Sequence, residues 1–173
     1  MDAAHRRKTI THILEEAKAP VSAAALAREF SVSRQIIVGD VALLRAAGLD
    51  IAATPRGYVL PKETTGLVRT VACVHPGEAM ARELEIMVDQ GCQVLDVVVE
   101  HPVYGQLTGQ LRLASRYDVQ EFVRLVSQSN ARPLSDLTGG IHLHTLSCPD
   151  SEAFRRVQQT LRELGILLSD QDT

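Results

Sequence analysis

The chain has 173 residues, of which 45% are hydrophobic, and a formal net charge of −3. Two small domains fit this length, and the hydrophobic fraction is too high for a disordered protein. No apolar run approaches the ~20 residues of a membrane-spanning helix, and the N-terminus leads into an amphipathic pattern instead of the apolar core of a secretion signal. We therefore expect a cytoplasmic protein with no membrane partner. The cysteines are odd in number and widely spaced, which argues against a disulfide framework.

Charge is distributed unevenly along the chain. Residues 1–62 hold nine Lys and Arg against six Asp and Glu, whereas residues 63–173 hold nine against fifteen. This asymmetry is typical of a basic DNA-reading domain joined to an acidic sensor domain.

The first sixty residues carry the pattern of a winged helix-turn-helix. Apolar residues at helical spacing predict three helices, over residues 4–17, 23–30 and 34–47. Ser22 and Ser33 are N-caps for the second and third helices, and Gly48 ends the third. Two short strands and the turn between them follow, at residues 50–54, 58–60 and 55–57. We therefore predict a winged helix-turn-helix DNA-binding domain over residues 1–61.

The start of the third helix and the turn of the wing carry the predicted DNA-binding residues. Arg34 and Gln35 project outward where a recognition helix enters the major groove, and Arg56 at the wing tip is placed to contact phosphate or the minor groove. With Ser33 they form the predicted DNA-binding set; the alternative is a small helical domain that contacts another protein. Gly39 is unexpected inside a helix, where glycine costs about 1 kcal/mol relative to alanine. Two explanations stay open: the glycine allows the helix to approach DNA closely, or it reflects neutral drift.

The pattern changes after a linker at residues 61–66. It predicts strands at residues 68–74, 94–99, 105–113 and 141–146, and helices at residues 78–90, 119–129 and 151–164. The order β-α-β-β-α-β-α is that of a ferredoxin-like sandwich followed by a terminal helix. We therefore predict an α+β protein whose second domain spans residues 66–173.

Histidines of the second domain are candidates for a metal site. His142 and His144 are separated by one residue on a predicted strand, so both side chains point to the same face. His75 follows the first strand of this domain, which the ferredoxin-like order places beside the last. Glu83 lies eight residues further on, within the next helix. Three imidazoles and one carboxylate suit zinc, nickel, iron or cobalt.

Two other interpretations of these histidines stay open. A single histidine is more often a hydrogen-bonded core or surface residue than a metal ligand. Cys73 shares a predicted strand face with His75, and Cys148 shares one with His144. A thiolate site is therefore a rival to the site that contains Glu83, although cysteine is also a common small core residue.

Several stretches resemble known families. The sequence SAAALAREFSVSRQ at residues 22–35, with DVALLRAAG at residues 40–48, resembles the winged-helix domain of bacterial repressors related to the biotin repressor. The sequences VHP, EHPVYG and GGIHLH, at residues 74–76, 100–105 and 139–144, resemble the three-histidine (3H) domain. Over residues 5–168 the chain resembles the niacin-responsive repressors of bacterial NAD synthesis and niacin uptake, the NiaR/YrxA family.

The resemblance implies a homodimer that binds operator DNA, with nicotinic acid as corepressor. It also implies a divalent transition metal, nickel or zinc first and iron or cobalt next, with His75, Glu83, His142 and His144 as ligands. His101 and Tyr104 are then expected to bind nicotinic acid beside the metal.

Two alternative functions follow from the same residues. The first is a repressor that responds to the metal ion itself. The second is a metallohydrolase with a DNA-binding appendage, but Ser147 and Ser151 have no convincing catalytic base. We therefore assign no catalytic residues and expect a regulator that is not an enzyme.

Overall fold

The computed structural model describes residues 2–169 and divides into two compact units, with the boundary between Glu63 and Thr64. Residue 1 and residues 170–173, which belong to the predicted domains, lie outside the described residues. Within the described range, every helix is too short or too polar to cross a membrane.

The first unit consists of a helical part followed by a hairpin. Its described helices are α1 (Ala3–Glu16), α2 (Ala23–Glu29) and α3 (Arg34–Ala46), and its strands are β1 (Ala52–Thr54) and β2 (Gly57–Val59). The helices lie within one residue of the predicted bounds. Ser22 and Ser33 accept hydrogen bonds from backbone N–H groups three residues on, as N-caps do. β1 and β2 pair as an antiparallel wing.

A buried ion pair joins the first helix of this unit to the third. Asp40 on α3 is 4% exposed, and its carboxylate lies 2.6 Å from Arg6 Nε and 3.4 Å from Arg7 Nη1 on α1. The hydrophobic core of this unit contains side chains from all three helices, among them Ile10, Leu26 and Ile37. The ion pair therefore links α1 to α3 beside this core. Sequence periodicity does not reveal it, because its members lie more than thirty positions apart.

The second unit contains the predicted order of strands and helices. Its strands are β3 (Leu67–Val74), β4 (Gln93–His101), β5 (Gly105–Leu113) and β6 (Ile141–Cys148), and its helices are α4 (Met80–Asp89), α5 (Arg116–Gln128) and α6 (Ser151–Glu163). Short 3-10 turns precede α4 and β6 at Gly77–Ala79 and Leu134–Thr138. The α+β class is confirmed. The helix predicted at 119–129 begins earlier, because Ser115 caps it by accepting from the backbone N–H of Asp118.

The described sheet of this unit has the order β3-β6-β4-β5, and all neighbouring strands are antiparallel. As expected, the first and last strands are neighbours, but the strand order is not that of the predicted ferredoxin-like sandwich, which has the first strand inside the sheet: here the last strand is internal and the first lies at the edge. The burial of the two strands agrees with this order: residues 142–148 of β6 are buried or half-buried, whereas residues 68–70 of β3 are exposed. Residues 166–168 cover part of the β3 edge, where Val74 N–H donates to the carbonyl of Ile166.

The core of the second unit lies between one face of the sheet and its helices. Leu146 and Val71 from the sheet and Leu84, Met87 and Val157 from the helices are 2% exposed or less. Side chains alternate along a strand, so the residues of β6 on this face are His142, His144, Leu146 and Cys148. The sheet therefore delivers two histidines into the layer that α4 covers.

Candidate functional site

A buried carboxylate stands at the centre of the candidate site. Glu83, in the first turn of α4, is 1% exposed and has apolar neighbours in its own helix. Its Oε2 atom lies 2.6 Å from His75 Nε2 and 3.4 Å from His144 Nε2, and its Oε1 atom lies 2.7 Å from His142 Nε2. The four residues that were predicted to bind metal are thus brought together on one carboxylate.

The strands and one turn determine where the three rings stand. His142 and His144 occupy alternate positions of β6, and their ring centroids are 5.0 Å apart. His75 follows β3, and its centroid is 4.8 Å from that of His142. Gly140 passes close behind His75: a Cβ at Gly140, whose φ is +96°, would lie 2.8 Å from the His75 carbonyl oxygen. Only glycine fits this crossing without a shift of the backbone.

The second nitrogen of each ring determines what the first can do. The Nδ1 atoms of His75, His142 and His144 lie 2.7, 2.8 and 2.7 Å from the backbone carbonyl oxygens of Pro76, Gly140 and Asp96. A carbonyl only accepts, so each Nδ1 carries a hydrogen. In the neutral ring each Nε2 then points a lone pair at the Glu83 carboxylate. Histidines that bind metal are oriented in this way by a backbone carbonyl, and the donor set therefore fits a divalent cation.

The negative Glu83 carboxylate and the protonated forms of His75 and His144 stabilise one another. Burial disfavours the imidazolium ion, but the Glu83 carboxylate outweighs this effect and raises the pKa of both His75 and His144. Burial alone would raise the pKa of Glu83, yet the charge of His144 and the hydrogen bonds from the three histidines hold it well below its usual value. Without a metal, protons on His75 and His144 compensate the buried carboxylate.

Cys73 is the cysteine of the predicted thiolate alternative that lies in this site. Its Sγ atom, a carboxylate oxygen of Glu83 and a ring nitrogen of His142 all lie within 4.8 Å of one another. The thiol is fully buried, and this burial, with the nearby Glu83 charge, raises its pKa. Cys148 stands at the opposite end of β6, where its sulfur lies 2.6 Å from that of Cys92.

A cleft opens where two strands of the sheet separate. The pairing of β4 with β6 ends at Val98 and Leu143, although β4 continues to His101 and β6 begins at Ile141. The cleft has a volume of about 830 Å³ and is lined by residues of both strands, of the β4–β5 turn and by Thr138. His142 lines the cleft and its ring contacts Glu83, so this residue joins the cleft to the histidine cluster. This fork, the point beyond Val98 and Leu143 where β4 and β6 separate, depends on the order of strands in the sheet and cannot be predicted from the sequence.

The two residues predicted to bind the small ligand occupy different positions. His101 lines the cleft, and its Nδ1 atom accepts from the backbone N–H groups of Val103 and Tyr104, at 3.1 and 3.2 Å. In the neutral ring its Nε2 therefore carries the hydrogen. Tyr104 contacts the His101 ring but is 76% exposed and does not line the cleft.

The predicted DNA-binding residues lie at the start of α3 and on the wing. Arg34 and Gln35 are exposed on the first turn of α3, and Arg56 is half-buried in the turn between β1 and β2. Ser33 is also exposed, but its hydroxyl oxygen is 3.3 Å from the N–H of Ile36 and so caps the helix. A Cβ at Gly39 would meet no atom within 4 Å, so packing in the first unit does not require glycine there.

Sequence comparisons identify both units. Residues 6–59 match the model of a family described as an HTH domain, and residues 68–170 match the 3H domain. A probable transcription repressor NiaR from Thermotoga maritima is 46% identical over 165 residues, which cover 95% of this chain and 94% of the relative. The transcription repressor NadR from Bacillus subtilis is 41% identical over 171 residues, which cover 96% and 95%.

The chain belongs to the NiaR/NadR family of transcription repressors. The predicted family is therefore confirmed, and with it the expectation of a DNA-binding regulator that is not an enzyme. In this NiaR/NadR-family chain, α3 and the wing belong to the HTH domain, whereas the histidine cluster and the cleft belong to the 3H domain. The cleft joins His101 to the histidine cluster through His142.

Proposed function

We propose that this chain represses genes of NAD biosynthesis or niacin uptake, with nicotinic acid as corepressor and a divalent transition metal in the 3H domain. The observation that carries the proposal is the convergence of three histidine Nε2 atoms on the buried Glu83 carboxylate, beside an open cleft. The resemblance to the niacin-responsive repressors supplies the ligand and the regulated genes.

The proposed metal ligands are His75, Glu83, His142 and His144. Three imidazole nitrogens and one carboxylate oxygen favour nickel or zinc, and also suit iron or cobalt. The backbone carbonyls behind the rings support this assignment. Each accepts a hydrogen bond from Nδ1, which leaves the lone pair of Nε2 free to bind a metal ion. A divalent cation would also replace the ring protons that compensate Glu83 in its absence.

The proposed nicotinic acid site is the cleft at the fork of β4 and β6. Its volume of about 830 Å³ is within the range of small-molecule sites. Val98 and Leu143 provide an apolar wall for an aromatic ring, and the His101 Nε2–H group provides a donor for a carboxylate or a ring nitrogen. Since His142 lines the cleft, a ligand there lies next to the proposed metal.

Repression requires that the ligand favour one arrangement of the DNA-reading domains. We propose a homodimer that reads a two-fold symmetric operator with recognition helices about 34 Å apart, one turn of DNA. Nicotinic acid then acts as corepressor by stabilising the dimer geometry that fits this spacing.

Calorimetry of the full chain with nicotinic acid tests the ligand. We expect binding to the zinc- or nickel-loaded protein, strongly reduced binding after treatment with a chelator, and much weaker binding of nicotinamide, which lacks the carboxylate charge. Binding of the amide as tightly as the acid would contradict the proposed recognition.

An electrophoretic mobility-shift assay tests whether nicotinic acid regulates DNA binding. The assay uses an operator selected from random DNA duplexes. We expect nicotinic acid to strengthen binding of the metal-loaded protein to this operator. If added metal alone produces full binding and nicotinic acid changes nothing, the chain is instead a metal-responsive repressor. The complete set of nitrogen and oxygen donors around Glu83 is the observation that favours this second candidate.

A further inference from the structure

We propose that Cys73 is an additional protein ligand of the metal ion, so that the centre contains a thiolate sulfur beside the imidazoles and Glu83. This inference rests on the metal centre of the proposed function. The Cys73 sulfur, a Glu83 carboxylate oxygen and a His142 ring nitrogen lie within 4.8 Å of one another. Metal–ligand bonds of about 2.0–2.3 Å place two donors of one ion roughly 3–4.5 Å apart. The sulfur is therefore positioned to share the ion of these two residues.

The backbone places Cys73 on the ligand face of the sheet. Cys73 lies two residues before His75, and side chains two apart in a strand point to the same face. It is also the direct register partner of His142 across β3 and β6. The side chain is 0% exposed, and its thiol interacts with the Glu83 carboxylate. Cys73 thus lies on the same face of the sheet as the proposed ligands His75 and His142.

Charge balance gives the thiolate a role. A divalent ion with Glu83 and three neutral imidazoles leaves a net charge of about +1 in a buried site, which is costly. A Cys73 sulfur bound to the ion as a thiolate, with its proton passed to bulk water, would cancel this charge before any acid ligand binds. A thiolate also shifts the preference of the centre toward zinc, nickel and cobalt and away from magnesium, calcium and manganese.

The other two cysteines provide matched controls. Cys92 and Cys148 are as buried as Cys73, but their sulfur atoms face each other at 2.6 Å, and Cys148 lies at the end of β6 remote from His142. Replacing Cys92 therefore removes a buried thiol without touching the histidine cluster.

The test is the absorption spectrum of the cobalt(II)-loaded full chain without nicotinic acid. We expect a thiolate-to-cobalt charge-transfer band in the near ultraviolet for the wild type and for Cys92→Ala. We expect loss of this band in Cys73→Ser and Cys73→Ala, with the weaker visible cobalt bands retained. A wild type that binds cobalt without the band, or a Cys73 variant that keeps it, would overturn the inference.

X-ray absorption of the zinc-loaded wild type requires no Cys73 variant, so it decides the question even if those variants fail to fold. We expect a sulfur neighbour at about 2.3 Å from zinc, retained in Cys92→Ala, beside nitrogen and oxygen at about 2.0–2.1 Å. A first shell of nitrogen and oxygen alone would overturn the thiolate ligand and leave the proposed metal centre intact. Failure of the wild type to retain cobalt or zinc in equilibrium dialysis would overturn both.

Discussion

The Nε2 atom of His142 lies 2.7 Å from the Oε1 atom of Glu83, although the two residues are 59 positions apart in the chain. The contact joins β6 to α4 across the interior of the 3H domain and is nearly inaccessible to solvent. Because His142 also lines the cleft between β4 and β6, a single residue lies between Glu83 and the cleft.

Replacement of Glu83 tests the centre of the cluster. We expect Glu83→Gln to lower zinc affinity by more than about 100-fold, because it removes the carboxylate on which all three histidines converge. Competition with a chromophoric chelator measures the affinity. Glu85→Gln on the same helix is the control, since Glu85 is more exposed and faces Arg116 instead of the histidines. Equal zinc affinity of the Glu83 variant and the wild type would exclude this carboxylate as a ligand.

The pH dependence of stability should differ between metal-free and metal-loaded protein. Burial lowers the pKa of His75 and His144, but Glu83 more than reverses this, so both lie above the ordinary 6.5. A raised folded-state pKa contributes stability that is complete below the unfolded value and is lost as pH rises through the folded value. The pKa of Glu83 is lowered in the folded state, so its contribution to stability is present near neutral pH and is lost in acid, as the pH falls through that lowered value.

Metal binding opposes this loss of stability at pH values above the histidine pKa, because only neutral imidazoles bind the ion. We therefore expect the Tm of chelator-treated protein to fall as the pH rises above about 6.5, the ordinary histidine pKa, because the pKa values of His75 and His144 are raised above it. Over the same range, subsaturating zinc should raise Tm by an amount that grows with pH. Parallel curves for the two forms would contradict protonation of the cluster.

Replacement of Asp40 tests the ion pair inside the HTH domain. Asp40→Asn leaves Arg6 without its carboxylate partner, and removal of one member of a buried ion pair costs about 3 kcal/mol. Urea denaturation of the full chain measures the loss of stability. Asp50→Asn serves as the control, because Asp50 is exposed. A stability loss no greater than that of the control would show that the pair contributes little.

Gly39→Ala should stabilise the recognition helix. The new Cβ would meet no atom within 4 Å, and alanine is favoured over glycine in helices by about 1 kcal/mol. We expect a higher Tm, measured by circular dichroism of the full chain. A lower Tm would contradict the open space around Gly39. Weaker operator binding by this stabilised variant would indicate close approach of the helix backbone to DNA, and unchanged binding would indicate drift.

Arg34→Ala should weaken operator binding without changing metal affinity. Arg34 is exposed at the start of α3, where a recognition helix meets the major groove. We expect a loss of about 1–3 kcal/mol in binding free energy if it contacts a base, and a salt slope reduced by about 1 if it contacts a phosphate. Fluorescence anisotropy at several salt concentrations measures both. Arg155→Ala is the control, because Arg155 is exposed on α6 and pairs with Glu152.

The sequence by itself determined the elements and the shared face of His142 and His144. Helical spacing and capping serines placed α1, α2 and α3 within one residue of their bounds, because these signals act over a few neighbouring residues. Strand alternation likewise put the two histidines on one face before any partner was known. The approach of His75 to these two histidines also followed from the sequence, because the predicted order made the first and last strands of the domain neighbours.

Only the tertiary structure decided what surrounds these residues. Packing between distant segments determines four features of the site. These are the position of β6 inside the sheet, the fork beyond Val98 and Leu143, the carbonyls behind the three rings, and the presence of Cys73 and not Cys148 in the site. The same holds for the pair of Asp40 with Arg6. Local propensity carries no information on such contacts, because their energy comes from burial and charge shared by elements that meet only after the chain has folded.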